Sequence, residues 1–120
     1  MRFSVTEGDY PPDCHVVAVE GEIDLRTAPK FRKPLLRAVE GGHRVVVADL
    51  TKTRLVDSKG LHALVAAHKR LTRRGREFFV VASEPSVLST LELTKLNRVF
   101  DVRGCLGDAL SAAGCDSAAA

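Results

Sequence analysis

Residues 43–71 constrain the fold more than any other stretch of the chain. His43-Arg44-Val45-Val46-Val47-Ala48-Asp49-Leu50 carries a continuous apolar core, the pattern of a central strand covered on both faces. After Leu55-Val56-Asp57-Ser58-Lys59-Gly60, the residues Leu61, Leu64, Val65, His68 and Leu71 recur at i, i+3, i+4, i+7 and i+10, one face of a helix. A buried strand running into an amphipathic helix is half of a β-α-β unit, and that unit needs a parallel neighbour. The chain has 120 residues, enough for one core and too few for two. Hydrophobic residues at 45% and charged residues at 28% exclude disorder of the whole chain.

The flanking segments extend this unit. Phe3 to Glu7 reads as a first, edge strand, Tyr10-Pro11-Pro12-Asp13 as a turn, and Cys14 to Glu20 as a valine-rich second strand paired to the first as a hairpin. Thr27 is placed to cap a following helix whose buried face is Ala28, Phe31, Leu35 and Val39. Pro34 sits in the interior of that helix, where proline costs about 3 kcal/mol, so a kink or restart is expected there. Gly41-Gly42 ends it. The helix after Ser58 should reach about Arg74 and stop at Gly75. Glu77 to Ala82 reads as a strand, and Glu84-Pro85-Ser86 opens a helix through Leu93 with Val87, Leu88 and Leu91 inward. Val99 to Val102 is a short extended piece and Asp108 to Ala113 a last helical segment. Residues 1–113 form one domain, and 114–120 are expected to fray as a C-terminal tail. Right-handed crossovers then predict an α/β fold: a mixed sheet of four to five strands with helices mainly on one face.

Composition narrows the function. Cys14, Cys105 and Cys115 are odd in number, far apart and without a C-x-x-C pair, which predicts reduced structural thiols. The histidines His15, His43, His62 and His68 lack metal-ligand spacing, so no metal site and no cofactor are expected, and His68 reads as a half-buried, hydrogen-bonded side chain. No apolar run approaches the roughly 18 residues of a membrane helix, and the N-terminus lacks the apolar stretch of a signal peptide. The expected location is the cytoplasm. A net charge of +3, from 18 basic and 15 acidic residues spread along the chain, does not argue for nucleic acid. Arg26, Lys30, Lys33 and Arg37 form a basic stripe on the outer face of the first helix, read as solvated surface.

Ser58 has three possible roles. The nucleophile elbow G-x-S-x-G fails because Val56 stands at its first glycine, and no S-x-x-K or phosphate-binding glycine loop appears, so the chain is not read as an enzyme. Asp57 or Ser58 can instead cap the helix, worth about 1 kcal/mol. Ser58 can also accept a phosphate, which the free amides and positive dipole of a helix N-terminus tolerate. The added charge of roughly −1.5 to −2 then acts on a docked partner. Physical chemistry alone leaves cap and phosphoacceptor level.

Four stretches separate them by resemblance: Val19-Glu20-Gly21-Glu22-Ile23-Asp24 with Thr27-Ala28-Pro29; Val45 to Leu50; Val56-Asp57-Ser58-Lys59-Gly60-Leu61; and Leu91-Glu92-Leu93-Thr94-Lys95-Leu96 with Val99-Phe100. In order and spacing, over roughly positions 3 to 110, the chain resembles the anti-sigma-factor antagonists of the STAS family. The resemblance implies a partner switch. The unphosphorylated protein binds an anti-sigma factor with serine kinase activity and frees a sigma factor. Phosphorylation of the residue matching Ser58 breaks that complex, and a serine phosphatase restores it. Asp24, Thr27, Asp57, Ser58, Lys59, Gly60, Leu61, Thr94 and Lys95 are the implied partner-binding positions, with no nucleic acid or membrane as direct partner. Within the same fold, the alternatives are a scaffold subunit of a larger signalling assembly and a constitutive antagonist no longer phosphorylated.

The chain departs from the family pattern at Lys59, where Ser or Thr is usual, at Lys95, where glycine is common, and at Lys52, Thr53 and Arg54, read as a loop before the aspartate. These basic residues are read either as drift on a solvated loop, where charge is ordinary, or as a surface suited to a more acidic partner than usual. Lys59 is also able to pair with a phosphate on Ser58 and soften the switch.

Overall fold

A computed structural model describes residues 2–115. The described chain runs β1 (Ser4–Tyr10), β2 (Cys14–Ile23), α1 (Ala28–Glu40), β3 (Val45–Val56), α2 (Ser58–Arg73), β4 (Glu77–Val81), α3 (Pro85–Leu93), a 3-10 turn (Leu96–Arg98), β5 (Asp101–Arg103) and α4 (Leu106–Ala112). The sheet has five strands in the order β1-β2-β3-β4-β5, with β1 antiparallel to β2 and every other pair parallel. The mixed sheet expected from the sequence is therefore present. Each parallel step is made by one helix moving the chain to the next position, so α1, α2 and α3 share a face.

Side-chain alternation divides the core between the two faces. Val17, Val19, Val46, Ala48, Leu50, Phe78 and Val80 point to α1–α3 and pack with Phe31, Leu35, Leu64, Leu71, Val87 and Leu91. The alternate residues Cys14, Val16, Val45, Val47, Phe79 and Val81 pack under Ala109 and Leu110 of α4 and Ala113 just after it. Helices thus lie mainly, not wholly, on one face. His68 is half-buried as expected, but instead of the expected hydrogen bond its ring stands edge-on to Phe100 at 5.7 Å.

Several expectations change. The helix α1 continues through Pro34 without a restart: the proline is buried on the sheet-facing side, where its ring adds to the core. Leu88 is 38% exposed, and the inward face of α3 is Val87 and Leu91 alone. Residues 52–54 are strand rather than loop. The strand β3 holds its pairing with β2 to Val56 through two register shifts, and Thr53 is fully buried with its hydroxyl donating to the Val19 carbonyl at 2.9 Å. Extra residues absorbed as bulges keep a polar, basic segment in the sheet. Opposite them, Gly21 takes φ +115, and a Cβ there would lie 2.6 Å from the Arg2 carbonyl oxygen, so only glycine lets the edge chain cross.

The cysteines are not all reduced thiols. Cys14 and Cys115 form a disulfide with a Cα separation of 6.4 Å, and Cys105 remains a free, exposed thiol. A separation of 101 residues hides this pair from any spacing rule, but the fold brings the start of β2 under the end of α4. Of the residues assigned above to a tail, Cys115 is buried and its amide donates to the Leu110 carbonyl at 2.8 Å, while the exposed Gly114 donates to the Ser111 carbonyl at 3.1 Å. Residues 116–120 of that tail lie outside the described residues.

Candidate functional site

At the C-terminal ends of β2 and β3, two loops meet. The Asp57 amide donates to the Ile23 carbonyl at 2.9 Å, which fastens the start of α2 to the end of β2. Asp57 is the N-cap: its Oδ1 accepts from the amides of Lys59 at 3.0 Å and Gly60 at 3.1 Å. Two orphan donors of the first turn are satisfied by this one carboxylate. The capping role thus goes to Asp57 and leaves Ser58 free of it. Ser58 is the first helical residue, exposed, and its hydroxyl has no hydrogen-bond partner among the described residues.

Gly60 sets the seat of this turn. A Cβ there would lie 2.7 Å from Ile23 Cγ2 and 2.8 Å from Val56 Cγ1, both buried side chains. Any larger residue would lift the first turn of α2 off the strands and carry Ser58 with it. Gly60 is buried, and Leu61 is partly buried against the main core, so of the Asp57–Leu61 segment Ser58 and Lys59 are the most open to solvent.

The adjoining loop is organised by Asp24 and Thr27. Asp24 Oδ1 accepts from the amides of Arg26 at 2.9 Å and Thr27 at 3.1 Å. Thr27 Oγ1 accepts from the Asp24 amide at 2.8 Å and donates to the Glu22 carbonyl at 2.6 Å. Its hydroxyl is spent within the loop and makes no cap bond to α1, which corrects the role assigned above. The Thr27 amide, opposed by slight desolvation and aided by the Arg26 amide, the Thr27 hydroxyl and the Arg26 charge, holds the Asp24 carboxyl below the usual carboxylate range. The same loop leaves Leu25 71% exposed, an apolar side chain offered to solvent beside Ser58's turn.

Between α1 and the start of α2 runs an open groove of about 1070 Å³, lined by Leu25, Pro29, Leu36, Arg32, Lys59 and His62 among others. Its lining is mostly apolar, and its charged groups are mainly basic: Arg32, Lys33, Arg37 and Lys59 against the single acid Glu40. Arg26, Lys30, Lys33 and Arg37 are all exposed, as the helical spacing predicts, and Lys33 and Arg37 also line this groove. Thr94 and Lys95 directly follow α3. Thr94 bonds back to Thr90 and Lys95 takes φ +62, and neither is hydrogen-bonded to residues 57–61. The positive φ explains why glycine suits that position.

A second polar cluster escaped the sequence reading. At the opposite end of the sheet, His15 Nδ1 lies 2.6 Å from Asp9 Oδ1 and its Nε2 lies 2.7 Å from Glu7 Oε1. The ring of His43 stacks on that of His15 at 4.7 Å. Burial draws the His15 pKa down, but the hydrogen bonds and charges of Asp9 and Glu7 outweigh it, leaving a net rise. The signal available was the hairpin itself: acids at alternate positions before Pro11-Pro12 and a histidine just after it share one face.

These features agree with known proteins. The STAS domain family model matches residues 9–109. An anti-sigma-B factor antagonist of Listeria monocytogenes is 30% identical over 109 residues, covering 90% of this chain and 95% of that protein. The crystal structure of an anti-sigma factor antagonist from Mycobacterium paratuberculosis superposes with a TM-score of 0.85 at 32% identity, covering 92% of this chain and 93% of that one. The Bacillus cell fate determinant SpoIIAA in its phosphorylated form shares the fold, with a TM-score of 0.71 at 13% identity over 92% of this chain and 99% of that one. With the family model spanning both the Asp24 loop and the Ser58 turn, and the sheet and helices in the arrangement of its solved relatives, this chain belongs to the STAS domain family.

Proposed function

We propose that this protein is an anti-sigma-factor antagonist acting in the cytoplasm, switched by phosphorylation of Ser58. It binds an anti-sigma factor through the Asp24–Thr27 loop, the Asp57–Leu61 turn and the groove between α1 and α2, and so releases a sigma factor. The serine kinase activity of that anti-sigma factor modifies Ser58, and a serine phosphatase reverses it. The names of the relatives support the antagonist role. The observation that carries the switch is the division of labour in the turn: Asp57 takes both cap bonds, and the exposed Ser58 hydroxyl is left without one. A phosphate there meets no steric or capping conflict within the protein, so its charge is felt by the partner.

In this reading Leu25 is the apolar anchor, and Asp24, Thr27, Asp57, Ser58, Lys59 and Leu61 frame the contact. Gly60 supports it from below, and Thr94 and Lys95 belong to its margin. The mainly basic charges of the groove favour an acidic contact surface on the partner. No membrane or nucleic acid takes part, and no reaction is catalysed. Ser58→Ala should bind the anti-sigma factor as the unmodified protein does and resist the kinase. Ser58→Asp should bind about two orders of magnitude more weakly, a loss of about 3 kcal/mol. Calorimetry of both variants with the anti-sigma factor, with and without ATP, decides it. Equal affinities would refute the charge mechanism.

A further inference from the structure

At the start of β2, four chain segments converge on one point: β1 brings Glu7 and Asp9, β2 brings His15, the β1–β2 turn brings Asp13, and the α1–β3 connection brings His43. The ligand atoms of Asp9, His15 and His43 all lie within 4.8 Å of one another. We propose that Asp9, His15 and His43 form a binding site for a zinc-class divalent transition metal ion, with the fourth position open to solvent and Glu7 orienting His15. Two imidazoles and one carboxylate are a donor set such ions accept, whereas magnesium and calcium take oxygen alone.

The geometry goes beyond the proximity of charged groups. Both His15 nitrogens are hydrogen-bonded to carboxylates, Nε2 to Glu7 at 2.7 Å and Nδ1 to Asp9 at 2.6 Å, so a metal ion bound between His15 and Asp9 takes the place of the proton they share. A histidine whose far nitrogen donates to a carboxylate is the usual arrangement of a metal ligand, since that bond fixes the tautomer and aims the other lone pair. Asp13 likewise meets two groups. Its Oδ2 accepts from the Arg44 amide at 3.1 Å, and its Oδ1 faces His43 Nδ1 at 3.6 Å. In a tetrahedral site with bonds of about 2.0–2.1 Å, ligand atoms stand about 3.3 Å apart. The Asp9–His15 pair, at 2.6 Å, need only open slightly, and Asp13 stands behind His43 as an orienting carboxylate.

Access and adjustability are also present. A cleft of about 300 Å³ opens here, lined by Asp9, Tyr10, Pro11, Pro12, Asp13 and His43 with Cys14. His43 is partly exposed on the short connection between α1 and β3, between the exposed Gly42 and Arg44, where a small shift disturbs no core residue. The proline turn and the adjacent disulfide at Cys14 hold the remaining ligands on a fixed frame. No spacing rule flags these donors, because such rules apply to ligands on one helix or loop, whereas Asp9, His15 and His43 come from three segments.

The test uses the full, untagged chain, chelator-treated, with its disulfide oxidised, at about pH 8, where free imidazoles are neutral. Zinc is titrated by calorimetry, and cobalt(II) is followed by the visible absorption of a tetrahedral ion. One ion per chain should bind. His43→Ala and Asp9→Asn should each weaken binding at least about tenfold, and Glu7→Gln by about 10–100-fold, the usual cost of losing an orienting carboxylate. Circular dichroism in chelator checks that each variant is folded, and the conservative Glu7→Gln serves if another variant is not. Cys105→Ser should bind as wild type. Absence of saturable zinc binding, wild-type affinity in His43→Ala and Glu7→Gln, or loss of binding in Cys105→Ser would each overturn the proposal.

Discussion

Where β2 and β3 end, short local hydrogen bonds shape a surface and leave its outward side chains free; where they begin, side chains from distant segments are tied to one another. The first region is Asp24, Thr27, Asp57 and Gly60 around an unpartnered Ser58 hydroxyl. The second is the Cys14–Cys115 disulfide, His15 between Glu7 and Asp9, and the Asp13 contacts to Arg44 and His43. A protein that meets its partner at one end of a sheet gains from a firm opposite end, because the docking surface then need not hold the fold together. Substitutions at the second end should therefore move stability, and substitutions at the first should move partner affinity.

The largest expected effect breaks the firm end. The disulfide spans 101 residues, and in the chain-entropy account a loop of that order contributes as much as about 5 kcal/mol, with typical measured values of about 2–4. Cys14→Ser combined with Cys115→Ser should lower stability by that typical amount in denaturant titrations under oxidising conditions. Below its melting range the double variant should bind the anti-sigma factor as tightly as the parent. Weaker binding by the folded variant would show that the two ends are coupled and would dissolve the contrast.

Gly60 comes next and crosses the divide. Alanine inside a helix is favoured over glycine by about 1 kcal/mol, which alone would stabilise Gly60→Ala. The new Cβ, however, meets buried branched carbons at 2.7 and 2.8 Å, where neither Ile23 nor Val56 has room to retreat. Overpacking of that kind costs about 1–3 kcal/mol, so the clash should win and the variant should be less stable by about 1 kcal/mol. Because relief requires α2 to lift, Gly60→Ala should also weaken partner binding at temperatures where it is folded. Denaturant titration and calorimetry together check both halves.

How far the sequence revealed each end follows from the range of its interactions. The Ser58 turn was legible because its determinants lie within five residues: an apolar strand, an aspartate, a serine, a glycine and a helical repeat. The sheet was legible for the same reason, since alternation and turn residues are local signals. Pro34 and Thr27 were misjudged where tertiary context overrides a local rule: the proline ring is buried in the core, and the threonine hydroxyl is used by the Glu22 carbonyl instead of the helix. Residues 52–54 looked like loop because polar residues suggest solvent, yet bulges keep them in the strand. Cys14 with Cys115, and His15 with His43, were out of reach, because only the folded sheet brings them together.

The smallest effect concerns Asp24, at the free end, and it sharpens the contrast by its sign. The carboxyl of Asp24 has its pKa lowered by the Thr27 amide first, then by the Arg26 amide and Thr27 hydroxyl. A group whose folded pKa lies below its unfolded value stabilises the fold above the unfolded pKa. That contribution disappears as the pH falls through the folded value. For an aspartate, the window therefore opens above about pH 4 and closes below it. Asp24→Asn should melt slightly below the parent at neutral pH, and the difference should vanish in acid. Direct titration of the Asp24 carboxyl by NMR should give a midpoint below the ordinary aspartate value, and a midpoint at or above it would mean the loop is not held by these bonds. Because the carboxylate is exposed and screened, the change in melting should be much smaller than that from losing the disulfide. The asparagine Oδ1 still accepts from the Arg26 and Thr27 amides, so the loop keeps its shape, and a loss of partner affinity in this variant would report the missing charge rather than a displaced Leu25.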